Sequence, residues 1–100
     1  MEKDVEKYLH DRVKKVGGYC MKMENIPGFN GIPDRLVLLP GGLVAFVEVK
    51  RQDGSLSTIQ KYRIQKLKDI GIKVYVAYSK QDVSKIIKNM NGWGECTNIK

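Results

Sequence analysis

The sequence predicts a single α/β domain, a mixed central sheet flanked by helices in the order αβββαβα. Three observations carry this. Apolar residues recur at helical spacing in three separate segments. Four short runs are β-branched, aromatic or alternating, and two of them are joined by Pro40-Gly41-Gly42. One helical segment separates the third run from the fourth, which favours a parallel pairing with a right-handed crossover.

Val5, Tyr8, Leu9, Val13 and Val16 place an amphipathic first helix at about 3–16, stopped by Gly17-Gly18. "GYCMKMEN" offers a short strand at about 19–24. "IPGFNGIP", with two Pro and two Gly, is a loop. "DRLVLL" and "LVAFVEVK" are the second and third strands, and "RQDGSL" is a polar turn. "STIQKYRIQKLKDIG" is a second helix, with Ile59, Tyr62, Ile64, Leu67 and Ile70 as its buried stripe and Gly71 as its end. "IKVYVAY" is the fourth strand. "SKQDVSKIIKNM" is a last helix with Val83, Ile86, Ile87 and Met90 on one face. The segment "NGWGECTNIK" shows no period, so the core is expected over about 2–90, with a tail at 91–100.

The chain has 100 residues, 42% hydrophobic and 29% charged, which suits one soluble domain with one modest core. Its apolar runs are too short to cross a membrane. The charged start "MEKDVEKY" predicts no secretory leader. Cys20 and Cys96 lack metal-type spacing and do not indicate a bridge, which fits a reducing, cytoplasmic setting. The net charge of +7 favours a polyanionic partner such as nucleic acid.

Three charges stand inside or beside the apolar strands: Asp34, Glu48 and Lys50. A three-residue hairpin loop centred on Gly41 sets Leu38 opposite Val44, Leu36 opposite Phe46, and Asp34 opposite Glu48. Opposed β-carbons lie about 4.5–5.5 Å apart. Two carboxylates so placed repel, and burial increases the cost. A shared proton or a divalent cation offsets it. Lys50, two residues past Glu48, leaves the same face of the strand. Asp34, Glu48 and the Val49 carbonyl offer magnesium a partial cage of hard oxygens, with positions left for water and phosphate. Such a metal would polarise a phosphodiester, with Lys50 orienting water or offsetting developing charge. Other readings stand beside this one. An Asp at a strand start also serves turns, and a Glu–Lys pair at i, i+2 also marks a solvated edge. A loop one residue shorter or longer would set Asp34 opposite Val47 or Val49.

Pro33-Asp34, thirteen residues, then Glu48-Val49-Lys50 resembles the PD-(D/E)XK nuclease superfamily. "GIPDRLVLLPGG", "VAFVEVKRQDGSLSTIQ" and "LKDIGIKVYVAYS" resemble the VRR-NUC family over about residues 2 to 88, in its standalone phage and bacterial form. The resemblance implies a restriction-endonuclease-like αβββαβ core and metal-dependent hydrolysis of DNA. It implies Asp34 and Glu48 as metal ligands, Lys50 as the catalytic lysine, and magnesium, with manganese able to substitute. It further implies a homodimer acting on branched or four-way junction DNA, in the cytoplasm of a bacterial or phage-infected host. Flap, nicking or restriction-like cleavage of duplex is the enzymatic alternative. A non-catalytic nucleic-acid-binding module is the other.

Two further positions match family motifs. Gln60 is the glutamine on the helix after the Glu48-Val49-Lys50 strand, yet Ser57-Thr58-Ile59-Gln60 is also an S-x-x-Q capping box. Glu6, at the border of the first helix's apolar stripe, would reach the metal through water, with Glu2 one turn away in reserve. Arg35 and Arg51 flank the ligands and, being one residue off, belong to the opposite side of their strands. Arg51, Lys61, Phe29 and Asn30 are the candidate DNA contacts. His10 reads as surface, Lys61, Arg63, Lys66 and Lys68 as a solvated helix face, and Trp93 as a packing or subunit anchor.

Overall fold

Helix α1 (Glu2–Lys15) turns Val5, Leu9 and Val13 inward, one face of a 3.6-residue period. It is followed by β1 (Tyr19–Lys22), β2 (Arg35–Leu39), β3 (Leu43–Val49), α2 (Thr58–Asp69), β4 (Lys73–Ala77) and α3 (Lys80–Asn98). This computed structural model describes residues 2–23 and 26–98, and of 92–98 it describes the backbone alone. Trp93 and Cys96 therefore lie outside the described side chains. The backbone of 91–98 continues α3 where the sequence shows no period. No proline interrupts it, and extending a nucleated helix is cheap.

The four strands form one sheet in the order β1-β2-β3-β4. The first two pairings are antiparallel, and β3 runs parallel to β4 across the α2 connection. Leu36 pairs with Phe46, Leu38 with Val44 and Leu39 with Leu43, the register expected from a loop centred on Gly41. Gly41 and Gly42 both take positive φ, 90° and 78°, which side-chain-bearing residues rarely adopt. The turn chemistry thus sets the register, and the register sets which residues lie opposite one another at the far end of the hairpin.

One sheet face carries Val37, Leu39, Ala45, Val47, Val49 and Ala77. It is covered by α1 and by Val83, Ile86, Ile87 and Met90 of α3. The other face carries Leu36, Leu38, Val44, Phe46 and Glu48, and α2 packs chiefly against β4 at its edge. The predicted buried stripe of α2 is corrected here. Ile64 is buried, but Ile59, Tyr62 and Ile70 are 45%, 52% and 75% exposed. A helix seated on one edge strand has cover for a single row of side chains, so the rest of its apolar surface meets solvent.

Candidate active site

The site forms where β2 begins and β3 ends. Asp34 immediately precedes β2, and Glu48 is the penultimate residue of β3. Arg35 pairs with Val47, so the ladder continued by one residue brings Asp34 opposite Glu48. The two are joined reciprocally through the backbone. The Asp34 N–H donates to Glu48 Oε1 at 3.1 Å, and the Val49 N–H donates to Asp34 Oδ1 at 3.2 Å. Neither carboxylate can swing away without breaking a bond made by the other's strand.

Lys50 follows on the same face. Its own N–H donates to the Ala77 carbonyl at 2.9 Å, which holds the end of the strand against β4. Its Nζ lies 3.8 Å from Glu48 Oε2. Gln60, from the first turn of α2, donates Nε2 to the same Oε2 at 3.1 Å. Ser57 caps α2, and the full capping box is present, with Ser57 Oγ accepting the Gln60 N–H and Gln60 Oε1 accepting the Ser57 N–H. The two roles expected as alternatives for Gln60 coexist, because an amide has an acceptor at one corner and donors at the other.

Glu48 is buried and Asp34 is partly so. Burial pushes the Glu48 carboxyl above the ordinary range, and the charge of Asp34 adds to the shift. Burial raises the Asp34 carboxyl too, against the Val49 N–H and the Arg35 guanidinium. Burial thus makes the pair costly to keep ionised, even with Arg35 beside Asp34 and Lys50 beside Glu48. Its oxygens are hard donors, and each one already bonded to an N–H keeps a lone pair. That donor set fits magnesium or manganese better than zinc. Among the described residues no group of three or more His, Cys, Asp or Glu gathers as a metal cage. An ion here would rely on Asp34, Glu48, a backbone carbonyl such as that of Val49, water and substrate.

Glu6 approaches the site but is engaged elsewhere. Its Oε1 lies 3.0 Å from Arg35 Nη2, and Arg35 Nη1 reaches the Asp34 carbonyl at 3.1 Å and Asp34 Oδ2 at 3.4 Å. Arg35 lies on the core-facing side of β2, as strand alternation predicts, in phase with Val37 and Leu39. From that side its long side chain meets Glu6 of α1 and also reaches the neighbouring Asp34, a link that alternation alone does not reveal. The usable sequence signal was an arginine on the core-facing side of a strand, which needs an acidic partner. Arg51 is exposed and lies 3.4 Å from Asp53 Oδ1, away from the carboxylate pair. Lys61 and His10 are exposed.

Phe29 and Asn30 line a hollow of about 260 Å³ together with Gly31, Asp34, Glu48 and Gln60. Gly31 makes the approach possible, with φ 83° and a position where a β-carbon would meet the Ile59 carbonyl oxygen at 2.7 Å. A larger hollow, about 570 Å³, opens between the starts of α1 and α3, beside Arg51 and Asp53. It contains none of the three strand-borne charges, and size alone does not make it the reactive centre.

The chain matches the model of the VRR-NUC domain over residues 2–81. It is similar to "Putative nuclease p44" of Acyrthosiphon pisum secondary endosymbiont phage 1, 39% identical over 90 residues that cover 90% of this chain and 95% of that protein. A solved structure of a VRR-NUC domain superposes with a TM-score of 0.80 at 34% identity, covering 87% of this chain and 94% of the other.

Proposed function

The chain belongs to the VRR-NUC domain family, and from that premise we propose that it is a metal-dependent DNA endonuclease of the Holliday-junction-resolvase type, working as a homodimer. The observation that carries the reading is the reciprocal bonding of Asp34 and Glu48, with Lys50 on the same face. Asp34, Glu48 and the Val49 carbonyl would hold magnesium, which manganese could replace. When bound, the ion supplies Lewis-acid polarisation of the phosphodiester.

The rest falls to the chain itself. Glu48 is held in place from two sides, by the Asp34 N–H and by Gln60. Asp34 is held by the Val49 N–H and by Arg35, which Glu6 anchors in turn. Lys50 presents an ammonium 3.8 Å from Glu48 Oε2. It donates to a phosphate oxygen as negative charge builds there, a contribution on the order of 10²–10³ in rate for a single well-placed donor. The proposed metal and Lys50 both act on phosphate, which every DNA sequence shares, so the shape of the DNA rather than its base sequence is the cue.

Two features support a dimer on branched DNA. A four-way junction offers two symmetry-related cuts, and a two-fold assembly carries two such centres. The sheet face away from α1 and α3 also leaves Tyr19, Met21 and Val44 exposed at 71%, 46% and 45%. Cross-strand pairing groups them with Leu36, Leu38 and Phe46 in one apolar surface. The test is to incubate the protein with a labelled four-way junction and a matched duplex, with magnesium and with chelator. Paired symmetric nicks in the junction, absent in chelator and in Asp34→Asn, are expected. A protein that binds both DNAs but cuts neither would be a binding module instead.

A further inference from the structure

We infer that Phe29, Tyr62 and Arg63 form a stacking platform for unpaired DNA bases at the mouth of the candidate active site. The inference rests on the nuclease reading for the identity of its ligand. Arg63 sits among aromatic rings, its guanidinium carbon 5.7 Å from the centre of the Phe29 ring and 5.6 Å from that of Tyr62. Lys66 Nζ lies 5.4 Å from the Tyr62 ring centre. Both rings remain about half exposed, at 51% and 52%.

The row is built in rather than loosely attached. Arg63 Nε donates to the Asn30 carbonyl at 3.1 Å, which ties the loop to α2. Two backbone bonds, Phe29 N–H to the Ile26 carbonyl and Ile32 N–H to the Phe29 carbonyl, fold the loop on itself. Gly31 allows that loop to lie directly on α2 at Ile59. The row also starts at the reactive groups. Phe29 and Asn30 line the same hollow as Asp34, Glu48 and Gln60, and Arg63 is one turn past Gln60 on the same side of the helix.

Exposed rings interleaved with cations match single-stranded nucleic acid. Each base offers a π-face to an aromatic ring or guanidinium, and each phosphate offers a charge to the neighbouring Lys or Arg. Fully paired duplex hides its bases in the stack and cannot use the rings. The substrate class that follows is branched DNA whose bases leave the stack next to the cut, as at an opened four-way crossover, a gap or a flap.

The experiment uses the full chain in chelator, so that binding is read without cutting. The probe is a duplex bearing a short single-stranded extension that contains 2-aminopurine, compared with the fully paired duplex at one fixed salt concentration. Wild type should quench the probe and bind the extended DNA roughly 10-fold or more tighter than the duplex. Tyr62→Ala should lose most of that preference and the quenching while binding the duplex as before, and Tyr62→Phe should keep both. Phe29→Ala should act in the same direction. Equal binding of both DNAs by wild type would overturn the inference. So would full quenching by Tyr62→Ala and Phe29→Ala together, or a loss confined to subunit association in light scattering. A wild type that stacks the probe yet never cuts with magnesium would defeat the nuclease reading alone.

Discussion

Gln60 Nε2 donates to Glu48 Oε2 at 3.1 Å while Gln60 Oε1 accepts the Ser57 N–H at 2.9 Å. One side chain therefore ties the start of α2 to the buried carboxylate at the end of β3. The cap locks the rotamer, and the locked rotamer aims the donor. Gln60→Ala removes both contacts and should cost about 1 kcal/mol of stability, with a melting point lower by about 4–8 °C. Cleavage should fall about 10–100-fold, the usual effect of losing a group that orients a metal ligand. Gln60→Glu keeps the capping geometry but sets a second carboxylate against Glu48. It should lose cleavage at least as severely, with a smaller change in melting than Gln60→Ala in magnesium. Similar cleavage in Gln60→Glu and wild type would restrict Gln60 to capping.

Glu48 and Lys50 separate by metal binding. Glu48→Gln should abolish cutting and weaken manganese binding measured by calorimetry. Lys50→Ala should slow cutting by about 10²-fold or more while changing manganese affinity much less. Unchanged affinity in Glu48→Gln would contradict its place as a ligand.

Asp34 and Glu48 tie stability to pH in the absence of metal. Both carboxyls are raised above their ordinary range by burial, so the folded state holds protons more tightly than the unfolded state. Their contribution is therefore fully present below the unfolded pKa, about 4, and is lost as pH rises through the raised folded values. In chelator, the melting point of wild type relative to Asp34→Asn should improve on acidification through that window. At neutral pH Asp34→Asn should melt at or above wild type, since the Val49 N–H can still donate to the Asn Oδ1. A melt well below wild type at neutral pH would show that the charge on Asp34 is a net support.

Arg35 is buried and bridges Glu6 on α1 to Asp34. Arg35→Met leaves both acids without their cation and should cost about 2–3 kcal/mol in urea unfolding, below the range for fully buried pairs because Glu6 keeps some solvent. Adding Glu6→Gln should restore part of that loss. Additive costs in the double variant would mean that the two side chains are not coupled.

The open sheet face gives the proposed dimer its own test. Val44→Glu places a charge at an exposed position, so a monomer should lose little stability. A dimer seated on that face should instead dissociate, read as a fall in mass by light scattering at unchanged helix content. A dimer that survives this change together with Tyr19→Glu would have to use another surface.

Element order was legible because strand and helix periods are local properties of the chain. The hairpin register was legible too, because Pro40-Gly41-Gly42 permits few backbone paths, and from that register alone Asp34 comes opposite Glu48. The stripe of α2 misled because periodicity reports which residues share a face, not whether anything covers it. Ile59 and Tyr62 share the apolar stripe expected to be buried, yet each is left about half exposed.

By itself, the amino-acid order determined two carboxylates and a lysine on one face of a glycine-turned hairpin, since strand alternation and turn geometry act over a few residues. Only the tertiary structure decided that Gln60 reaches Glu48, that Arg35 joins Glu6 to Asp34, and that Arg63 lies against two half-exposed rings. Those contacts join separate elements. Their geometry depends on how α1 and α2 seat against the sheet, a property of packed surfaces that no local window contains.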